Sequence, residues 1–511
     1  MAGEGASAPA EIRVVGVVGA GAMGAGIAQV AAAAGCSVLL FDVHEGASTQ
    51  AIERIAEQTL RLEARGKIDA HEGLRVRSGM RVCQTIEGLG VCDLVIEAIV
   101  EELDAKCALF AKLEKIVAET SILATNTSSL SITAIAAAMA HPERCAGMHF
   151  FNPAPRMPLV EIISGASTSR ETADTLYSLA QLWDKVPVHA RSTPGFIVNR
   201  VARPFYAEAL RVLAEGGAEA GTLDTTLCDC GGFRMGPFAL MDLIGNDVNY
   251  AVTRSVFDAF YGDTRFTPSP LQRELVEAGF LGQKTGRGFY TYVHGVAQEK
   301  PVTMPANPAP RDAVVYGDSA LAIELKRRLV RSDVTVATEP AEFDGRLVAC
   351  TDFVLYPCDG RSATSRAASL GVANLVLIDH VDDAASSASV AIAASGQGGQ
   401  RAAEAASALL QIAGYSVSLL TDVPGMIVLR TICMLINEAA DAVNQRVCSA
   451  EDLDLAMRKG VNYPRGPLEW ANRLGLSFVV QTLDYLAEEY GETRYRVSPL
   501  LRRMALAAKQ F

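Results

Sequence analysis

A glycine-rich turn near the start of the sequence constrains the fold of this chain more than any other feature. The turn reads GAGAMG at residues 19–24 and fits the pattern GxGxxG. It lies between an apolar strand candidate, residues 12–18, and an alanine-rich helix candidate, residues 22–34. A second strand candidate, residues 37–42, ends in an acid, Asp42. This order predicts the first unit of a dinucleotide-binding, Rossmann-like fold.

The residues of the turn have separate physical roles in such a fold. Gly19 permits a tight turn, Gly21 lets the backbone approach a pyrophosphate, and Gly24 lets the helix pack closely on the strand. The phosphates then lie at the helix N-terminus, where backbone N–H groups are unsatisfied. The predicted phosphate contacts are Gly19, Gly21, Ala22, Met23 and Gly24. A glycine-rich turn without a ligand is the alternative interpretation.

The acid at the end of the second strand predicts which dinucleotide binds. Asp42 would accept hydrogen bonds from the adenosine ribose hydroxyls and would repel a 2′-phosphate. Neither Val43 nor His44 supplies an arginine that could hold such a phosphate. The sequence therefore favours NAD over NADP as the cofactor.

The rest of the chain divides into segments of different character. Further apolar strand candidates at 93–98, 121–126 and 145–150 alternate with helix-like segments, which predicts a parallel sheet covered on both faces. The predicted order is an NAD-binding Rossmann-like α/β domain at 1–192, an all-α helical domain at 193–298, a proline-rich linker at 299–312, a degenerate (reduced) Rossmann-like α/β segment at 313–420 and a second copy of the helical domain at 421–511.

Three sequence blocks carry the evidence for duplication. TPGFIVNR at 193–200 recurs as VPGMIVLR at 423–430, an offset of 230 residues. FRMGPFALMDLIG, from residue 233, recurs as YPRGPLEWANRLG at the same offset, and YGDTRFTPSPL, from residue 261, recurs as YGETRYRVSPL at 229. The second α/β segment has only YGDSA at 316–320 in place of the glycine motif. We expect it to bind no NAD.

Composition excludes several other classes of protein. Hydrophobic residues make up 50% of the chain and the formal net charge is −12, which excludes general disorder and a basic nucleic-acid-binding surface. The uncharged run 14–41 is long enough to span a bilayer, but the five glycines between residues 16 and 26 favour a strand, turn and buried helix instead. We therefore expect no nucleic-acid partner and no membrane span.

The cysteines and the N-terminus bear on metal binding and localisation. Eleven cysteines are scattered without zinc-ligand spacing, so we expect reduced thiols and no metal site. The first residues, MAGEGASAPAEIR, lack a basic segment followed by an apolar one, and we expect no signal peptide. Both features indicate a cytoplasmic protein.

One of the seven histidines is a candidate base for nicotinamide chemistry on an alcohol. His149 ends the strand candidate 145–150 and precedes Phe151-Asn152-Pro153, where the backbone is expected to turn. The carboxyl end of a strand is where open α/β sheets bind ligands. Histidine suits proton abstraction because its unperturbed pKa is about 6.5. A partly buried structural histidine is the alternative.

These motifs together resemble a known family, the L-3-hydroxyacyl-CoA dehydrogenases, over about residues 12–292. The duplicated helical domain and the segment before it look like the long bacterial form, which has a reduced Rossmann-fold domain and includes 3-hydroxyadipyl-CoA dehydrogenases of phenylacetate breakdown and 3-hydroxybutyryl-CoA dehydrogenases. The motifs that carry the resemblance are GAGAMG (19–24), EAIVEELDAK (97–106), NTSSL (126–130), HFFNP (149–153), LVEII (159–163), PGFIVNR (194–200) and GPF (236–238).

The resemblance implies four catalytic residues. The base falls on His149, the carboxylate that orients it on Glu161, the serine that holds the substrate oxygen on Ser128, and the assisting asparagine on Asn199. Glu161 would fix the imidazole tautomer, and the other two side chains would position the 3-hydroxyl and polarise the 3-keto oxygen. Without the resemblance, NTSS reads as a helix cap and Asn199 as a polar core residue.

The resemblance also implies binding residues. Glu101 and Lys106 should line the NAD site, Asn152 should lie near the nicotinamide, and Lys67 is a candidate for the CoA 3′-phosphate or else a solvated surface charge. A distal carboxylate on the acyl group would need a cationic partner, for which Arg156, Arg203 and Arg234 are candidates. Asn199 corresponds to Leu429 in the second repeat, so we expect one active site per chain.

The function implied is reversible NAD-dependent oxidation of an (S)-3-hydroxyacyl-CoA to the 3-oxoacyl-CoA, with the acyl chain entering between the first sheet domain and the first helical domain. The duplicated form favours 3-hydroxyadipyl-CoA of aromatic-compound degradation, and 3-hydroxybutyryl-CoA of fatty-acid metabolism is the alternative. A dehydrogenase of β-hydroxy acids without CoA and a non-enzymatic, crystallin-like protein are further alternatives. The two helical domains are expected to pair internally as a pseudo-dimer or to mediate homo-oligomers.

Overall fold

The computed structural model describes residues 12–306, 310–342 and 344–511. The predicted absence of a signal peptide and the start of the first predicted domain concern residues 1–11, which lie outside the described residues, as do residues 307–309 of the proline-rich linker. Within the described ranges, no helix is long and apolar enough to cross a bilayer.

The strands alternate with helices over most of the chain. The strands are β1 (Val14–Val18), β2 (Ser37–Phe41), β3 (Met80–Val82), β4 (Leu94–Glu97), β5 (Ile122–Thr125), β6 (Cys145–Phe150), β7 (Leu159–Ser164), β8 (Val186–Arg191), β9 (Tyr292–Val293), β10 (Val296–Ala297), β11 (Asp312–Tyr316), β12 (Thr335–Glu339), β13 (Val348–Ala349), β14 (Val354–Pro357), β15 (Leu375–Ile378), β16 (Ser389–Ala394) and β17 (Ser416–Leu419).

The α-helices cover the sheets and form the two helical repeats. They are α1 (Ala22–Ala33), α2 (Ala47–Ala64), α3 (Ala70–Gly79), α4 (Leu103–Leu113), α5 (Ile132–Ala136), α6 (Arg170–Leu182), α7 (Val198–Val201), α8 (Arg203–Ala214), α9 (Ala220–Asp229), α10 (Pro237–Ile244), α11 (Asn246–Ala259), α12 (Pro270–Glu277), α13 (Ala320–Leu329), α14 (Ala363–Leu370), α15 (Gly399–Ile412), α16 (Val428–Asn444), α17 (Ala450–Gly460), α18 (Pro467–Leu474), α19 (Leu476–Tyr490) and α20 (Pro499–Leu506). Short 3₁₀ turns occur at 86–91, 142–144, 264–266, 283–285 and 493–495.

The chain forms two compact units. The first comprises the described residues up to Arg200 together with Gln445–Val461, and the second comprises Val201–Asn444 and Asn462–Phe511. Helix α17, which lies in the second helical repeat by sequence, therefore belongs to the first unit. There it packs against β8, and the amide of Arg191 donates to the carbonyl of Val447 at 2.8 Å.

The first unit contains an eight-stranded sheet in the order β3-β2-β1-β4-β5-β6-β7-β8. Strands β1 to β6 are parallel, but β7 runs antiparallel to β6, so the prediction of a wholly parallel sheet is wrong at this pair. The eight residues between β6 and β7, residues 151–158, are fewer than the dozen or more that a parallel crossover needs.

The register of this sheet positions the candidate site. The parallel pairing places Glu97 beside Thr125 at the carboxyl ends of β4 and β5, and Thr125 beside Gly147 in the middle of β6. The antiparallel pairing places His149 directly opposite Glu161. The strands are buried on both faces and form the core with the inner faces of α1 and α6.

The second unit contains a seven-stranded sheet in the order β12-β11-β13-β14-β15-β16-β17. The largely apolar run at 347–357 could form one long strand, but it forms a hairpin of β13 and β14, because the polar residues Thr351 and Asp352 form a turn in the middle. Strand β16 was not predicted because its alanine- and serine-rich sequence has little β propensity.

The duplication extends beyond the helical repeats into the sheets. Strands β15 and β16 are β6 and β7 displaced by 230 residues, and their antiparallel register is the same after that displacement. His149 thus corresponds to Asp379, and Glu161 corresponds to Ala391. Within the second unit α8 packs against α16, so the two helical repeats contact each other in one chain.

Candidate active site

The glycine turn leaves an open N-terminus on helix α1. Gly19 has a φ of +103°, and a Cβ there would lie 2.5 Å from the carbonyl oxygen of Ala98. A Cβ on Gly24 would lie 1.8 Å from the carbonyl oxygen of Gly19, so the helix and the turn touch at this point. A Cβ on Gly21 would meet no protein atom within 4 Å, and no side chain caps α1. The turn therefore has the geometry that a pyrophosphate requires.

Asp42 lies at the carboxyl end of β2 beside this turn. Its Oδ2 accepts a hydrogen bond from the amide of Ala20 at 2.7 Å, and its Oδ1 accepts one from the amide of His44 at 2.9 Å. Burial opposes ionisation of Asp42, but these hydrogen bonds and the His44 ring lower its pKa below the ordinary value. The side chain is thus an anion that can accept hydrogen bonds from ribose hydroxyls.

A buried lysine connects the ends of β4 and α4. The Nζ of Lys106 lies 2.5 Å from Oε1 of Glu97 and 3.2 Å from Oε2 of Glu101. Glu97 is fully buried and also accepts from the hydroxyl of Thr125 at 2.7 Å and the amide of Ile99 at 2.7 Å. Glu97 was not among the predicted site residues, although an acid at the end of an apolar strand is a recognisable signal.

The NTSSL segment is held by Glu101. Its Oε1 accepts from the hydroxyl of Thr127 at 2.6 Å, from the amide of Ser128 at 2.9 Å and from the hydroxyls of Ser128 and Ser129 at 3.2 and 3.1 Å. Burial opposes ionisation of Glu101, but the Thr127 hydrogen bond and the Lys106 charge lower its pKa. The segment is not the cap of α5, because Ser131 fills that position.

The strongest feature of the site is the pair of His149 and Glu161. The Nδ1 of His149 lies 2.7 Å from Oε2 of Glu161, and both side chains are buried. The imidazole ring also lies against two phenylalanine rings, with centroids 4.6 Å from Phe151 and 5.9 Å from Phe196. A carboxylate on Nδ1 fixes the ring with its proton there and leaves Nε2 as the basic atom.

Glu161 also fixes the start of helix α7. Its Oε1 accepts from the amides of Ile197 and Val198, each at 3.0 Å. The next residue, Asn199, donates from Nδ2 to the carbonyl oxygen of Ser128 at 3.4 Å. The structure therefore brings Ser128, His149, Glu161 and Asn199 into one connected group, although they come from four segments of the chain.

The side chains of Asn152 and Lys67 are both exposed. Asn152 is exposed in the loop after β6, where Asn126 is the asparagine that fixes the backbone by accepting from the amide of Phe150 at 2.8 Å. Lys67 is exposed just beyond the end of α2. Among the described residues, neither side chain has a hydrogen bond that would orient it toward the His149–Glu161 pair.

An arginine-lined pocket of about 430 Å³ lies on α2 and was not predicted from the sequence. Arg54 and Arg61 come from α2, Arg65 directly follows its last residue, and Arg156 comes from the loop after β6, whereas Lys67 does not line the pocket. The signal in the sequence was the spacing of Arg54, Gln58, Arg61 and Arg65, which places them on one helix face. Such a pocket can hold phosphate groups.

The three candidates for a distal carboxylate partner have different settings. Arg156 lines this arginine pocket, and Arg234 is exposed. Arg203 is buried in the second unit, where its Nη1 donates to the hydroxyl of Thr253 at 3.1 Å and its guanidinium lies 4.9 Å from the ring centre of Tyr206. Among the described residues, no group of three His, Cys, Asp or Glu side chains could hold a metal ion.

Comparison with protein-family models gives matches along most of the chain. The model of the 3-hydroxyacyl-CoA dehydrogenase NAD binding domain matches residues 14–193. The model of the C-terminal domain of the same enzymes matches twice, at 195–292 and 425–510, and the 3-hydroxybutyryl-CoA dehydrogenase reduced Rossmann-fold domain matches residues 355–424.

Comparison with individual proteins gives a match of nearly full length. The chain is 43% identical to 3-hydroxyadipyl-CoA dehydrogenase of Escherichia coli over 97% of this chain and 98% of the relative. It is also 43% identical to a probable 3-hydroxybutyryl-CoA dehydrogenase of Bacillus subtilis, over 55% of this chain and 98% of that protein. A crystal structure of 3-hydroxybutyryl-CoA dehydrogenase from Escherichia coli superposes with a TM-score of 0.88 at 42% identity and covers 97% of this chain and 99% of that chain.

Proposed function

The chain belongs to the 3-hydroxyacyl-CoA dehydrogenase family and is an NAD-dependent oxidoreductase, and we propose that its substrate is (S)-3-hydroxyadipyl-CoA. Support for this acyl group comes from the relative of that name, which shares the duplicated architecture over 97% of the chain. Such an activity would serve the breakdown of phenylacetate. 3-Hydroxybutyryl-CoA remains the second candidate, since proteins of that name match as well.

The buried pair of His149 and Glu161 carries the proposed mechanism. Bound NAD supplies the hydride acceptor. Because Glu161 holds Nδ1, the Nε2 of His149 takes the proton of the substrate 3-hydroxyl as C3 loses its hydrogen as hydride and the carbonyl forms. Glu161 stabilises the imidazolium that results. Ser128 and Asn199 position the oxygen that changes from hydroxyl to carbonyl.

The binding residues have supporting geometry as well. The uncapped N-terminus of α1 suits the NAD pyrophosphate at residues Gly19, Gly21, Ala22, Met23 and Gly24, and Asp42 suits the adenosine ribose. Lys106 and Glu101 would act near the nicotinamide half. The pocket of Arg54, Arg61, Arg65 and Arg156 suits the CoA phosphates, and we propose it in preference to Lys67.

Two further proposals concern the setting of the enzyme. All eleven cysteines are free thiols, which favours a reducing, cytoplasmic environment. The packing of α8 against α16 supports an internal pseudo-dimer of the helical repeats. We also propose the five sequence segments given above as the domains of the chain, with α17 of the last segment packed in the first compact unit.

The test of the acyl group is NADH formation on matched CoA esters. (S)-3-Hydroxyadipyl-CoA and (S)-3-hydroxyhexanoyl-CoA have the same chain length and differ in the distal carboxylate. We expect a higher kcat/KM for the adipyl ester, with the butyryl ester below both. A higher kcat/KM for the hexanoyl or butyryl ester would reject the adipyl assignment, and faster turnover of free 3-hydroxy acids would reject CoA esters as the substrate class.

The test of the base is His149→Ala with a histidine control. His141→Gln changes an exposed histidine just before β6 and should leave turnover unchanged. His149→Ala should lower kcat by about 10²–10⁴-fold, the usual contribution of general base catalysis. Wild-type turnover in His149→Ala would exclude this residue as the base.

The test of the arginine pocket is Arg61→Met. This variant should raise the KM for CoA esters and leave the KM for NAD unchanged. Arg75→Met on α3 is its control.

A further inference from the structure

A cavity of about 580 Å³ lies within the second unit, where the two helical repeats meet. One wall is formed by α8 and by the segment that follows the 3₁₀ turn at 264–266. The other wall is residues 491–494, which lie just before α20. The cavity is lined by apolar side chains, among them Leu210, Phe266 and Pro268, and by the guanidinium groups of Arg203, Arg211 and Arg494.

The residues around this cavity are arranged about a pseudo-twofold axis. Thr264 and Thr493 are counterparts at an offset of 229 residues, and their hydroxyls lie 3.1 Å apart. Arg265 of the first repeat pairs with Glu438 of the second, and their counterparts Arg494 and Glu208 pair in the reverse sense. Reciprocal contacts of this kind are those of an isologous dimer interface.

The guanidinium groups of Arg265 and Arg494 differ in the number and distance of their hydrogen-bond and ion-pair partners. Nη1 of Arg265 lies 2.9 Å from Glu438 and 2.5 Å from Asp441. Its Nη2 donates to the carbonyl oxygen of Arg496 at 2.9 Å, and its Nε donates to the carbonyl oxygen of Arg494 at 3.4 Å. Arg265 therefore has two carboxylates and two carbonyls around one buried guanidinium.

Arg494 has one carboxylate, and that one is distant. Its Nη1 lies 3.7 Å from Oε1 of Glu208, and its Nε has no hydrogen-bond partner among the described residues although the side chain is 90% buried. Glu208 is already engaged by Arg430, whose Nε lies 2.6 Å from Oε2. The Oε1 of Glu208 also lacks a hydrogen bond among these residues.

The missing group is the counterpart of Asp441. At that position the first repeat has Arg211, which turns instead to Glu492 with distances of 2.6 and 2.7 Å. Beside Arg265 the carboxylate of Asp441 fills this space. Beside Arg494 the space holds the cavity and the additional guanidinium of Arg211. A carboxylate entering the cavity would complete the coordination of Arg494 that Asp441 completes for Arg265.

We propose that this cavity is a binding site for a short aliphatic carboxylate. The carboxylate would lie against Arg494, and the aliphatic chain would lie along Leu210, Phe266 and Pro268. A volume of about 580 Å³ is within the range of small-molecule pockets, and the mixture of apolar walls and a few charged groups is typical of them. Apolar walls favour a fatty or dicarboxylic acid over inorganic phosphate.

The experiment is a calorimetric titration of the full-length enzyme with sodium hexanoate, in the presence of saturating NAD and acetoacetyl-CoA, which are both oxidised and cannot react, so that the catalytic site is filled. We expect saturable binding of one hexanoate per chain. Hexanamide, which has the same shape without the charge, should bind at least about tenfold more weakly, since a hydrogen-bonded charge contributes that much. No saturable binding of hexanoate at millimolar concentrations, or equal binding of hexanamide, would overturn the proposal.

Variants assign the binding to this cavity. Arg494→Gln should weaken hexanoate binding at least about tenfold. Ala207→Phe fills the cavity from α8 and leaves every arginine in place, so it tests the site even if Arg494→Gln fails to fold. Arg502→Gln, on the exposed face of α20, is the matched control and should bind as the wild type does. Unchanged binding in the folded Arg494→Gln or Ala207→Phe protein would overturn the assignment.

Discussion

The two sheets of this molecule begin alike and differ where a dinucleotide would bind. Gly19, Ala20 and Gly21 follow β1, and the corresponding residues after β11 are Gly317, Asp318 and Ser319. Gly21 leaves the N-terminus of α1 uncapped, whereas the hydroxyl of Ser319 accepts from the amide of Ala322 and caps α13. The second helix therefore satisfies its own N-terminus, and Asp318 adds a negative charge where a phosphate would need the opposite.

The two sheets also differ at the strands that carry His149 and Glu161 in the first unit. In the first unit Glu161 accepts from the amides of Ile197 and Val198 and from the ring of His149. In the second unit Asp379 replaces the histidine and accepts from the amides of Ile427, Val428 and Leu429, at 2.9, 2.8 and 3.1 Å. Burial raises the pKa of Asp379 despite these hydrogen bonds.

This difference separates the two roles of Glu161, which fixes the start of a helix and orients the imidazole of His149. The second repeat keeps a carboxylate under the start of its helix, but it comes from the neighbouring strand, and Ala391 stands where Glu161 would be. Fixing the helix start is therefore needed in both repeats, whereas orienting an imidazole is needed in one. Three exchanges between the two halves and one pair of matched arginine substitutions can break or sharpen this interpretation.

His149→Asp gives the first repeat the residue of the second. Glu161 would then face a second carboxylate. The site would have no imidazole to take the proton of the substrate 3-hydroxyl at neutral pH. We expect kcat to fall by about 10³-fold or more, with NAD affinity nearly unchanged, as measured by steady-state kinetics and NADH titration. Activity within tenfold of the wild type would show that the repeats do not differ in function at this position.

Arg265→Met and Arg494→Met compare the two arginines of the pseudo-twofold interface. Arg265→Met removes the buried guanidinium that pairs with Glu438 and Asp441, although Asp441 keeps Arg496 at 3.1 Å. Loss of a buried partner usually costs about 3–5 kcal/mol of unfolding free energy. Arg494→Met removes a single, longer contact and should cost about 1 kcal/mol. Denaturant titration of both variants measures the difference. Equal losses of unfolding free energy in the two variants would mean that Arg265 and Arg494 stabilise the interface equally.

His380→Phe gives the second repeat the residue that stands at Phe150 in the first. Burial lowers the pKa of His380 to about 4, so the folded state holds the neutral ring. The unfolded chain gains a proton near pH 6.5 and the folded chain does not until near pH 4, so stability falls as pH decreases through this window, by about 3 kcal/mol in total.

The phenylalanine variant should lack that component of acid sensitivity. It should also be more stable at neutral pH, because Nε2 of His380 has no hydrogen-bond partner among the described residues. Denaturant midpoints of both proteins at pH 7, 6, 5 and about 4 provide the measurement. Parallel pH profiles for the two proteins would show that His380 is not the group that titrates.

Gly21→Ser gives helix α1 the cap that helix α13 has. A serine side chain would occupy the open space beside the turn and satisfy an amide that the pyrophosphate would use. We expect NAD to bind about tenfold more weakly, while the unfolding free energy changes by only a few tenths of a kcal/mol. Gly24→Ala is the contrasting variant, since its Cβ would collide with the Gly19 carbonyl and the fold itself should lose stability.

Local patterns in the sequence predict a large part of the site. The glycine turn, Asp42 and His149 each lie at or next to the carboxyl end of a strand that the sequence predicts, where open α/β sheets bind ligands. Ser128, Glu161 and Asn199 are assigned by the family resemblance alone, and the structure connects them to His149 through hydrogen bonds that include the amide of Val198.

What the sequence did not predict depends on contacts between distant segments. The antiparallel β7 follows from the length of a loop, and the burial of Glu97 follows from Lys106 and Thr125 meeting it from two other elements. The arginine pocket needs Arg156 to be brought to α2 from about 90 residues away, and the cavity at Arg494 becomes visible only when two repeats are compared in space. Periodicity in one segment carries no information on such contacts.

Helix α17 has a consequence for the order in which the chain acquires its structure. During synthesis the first two hundred residues leave the ribosome long before residues 445–461, which complete the same compact unit. Until then the outer strand β8 lacks both the helix that packs on it and the carbonyl of Val447 that its Arg191 amide binds. The nascent enzyme therefore carries an unprotected strand edge through more than half of its translation, a period in which edge-to-edge association with other chains competes with folding.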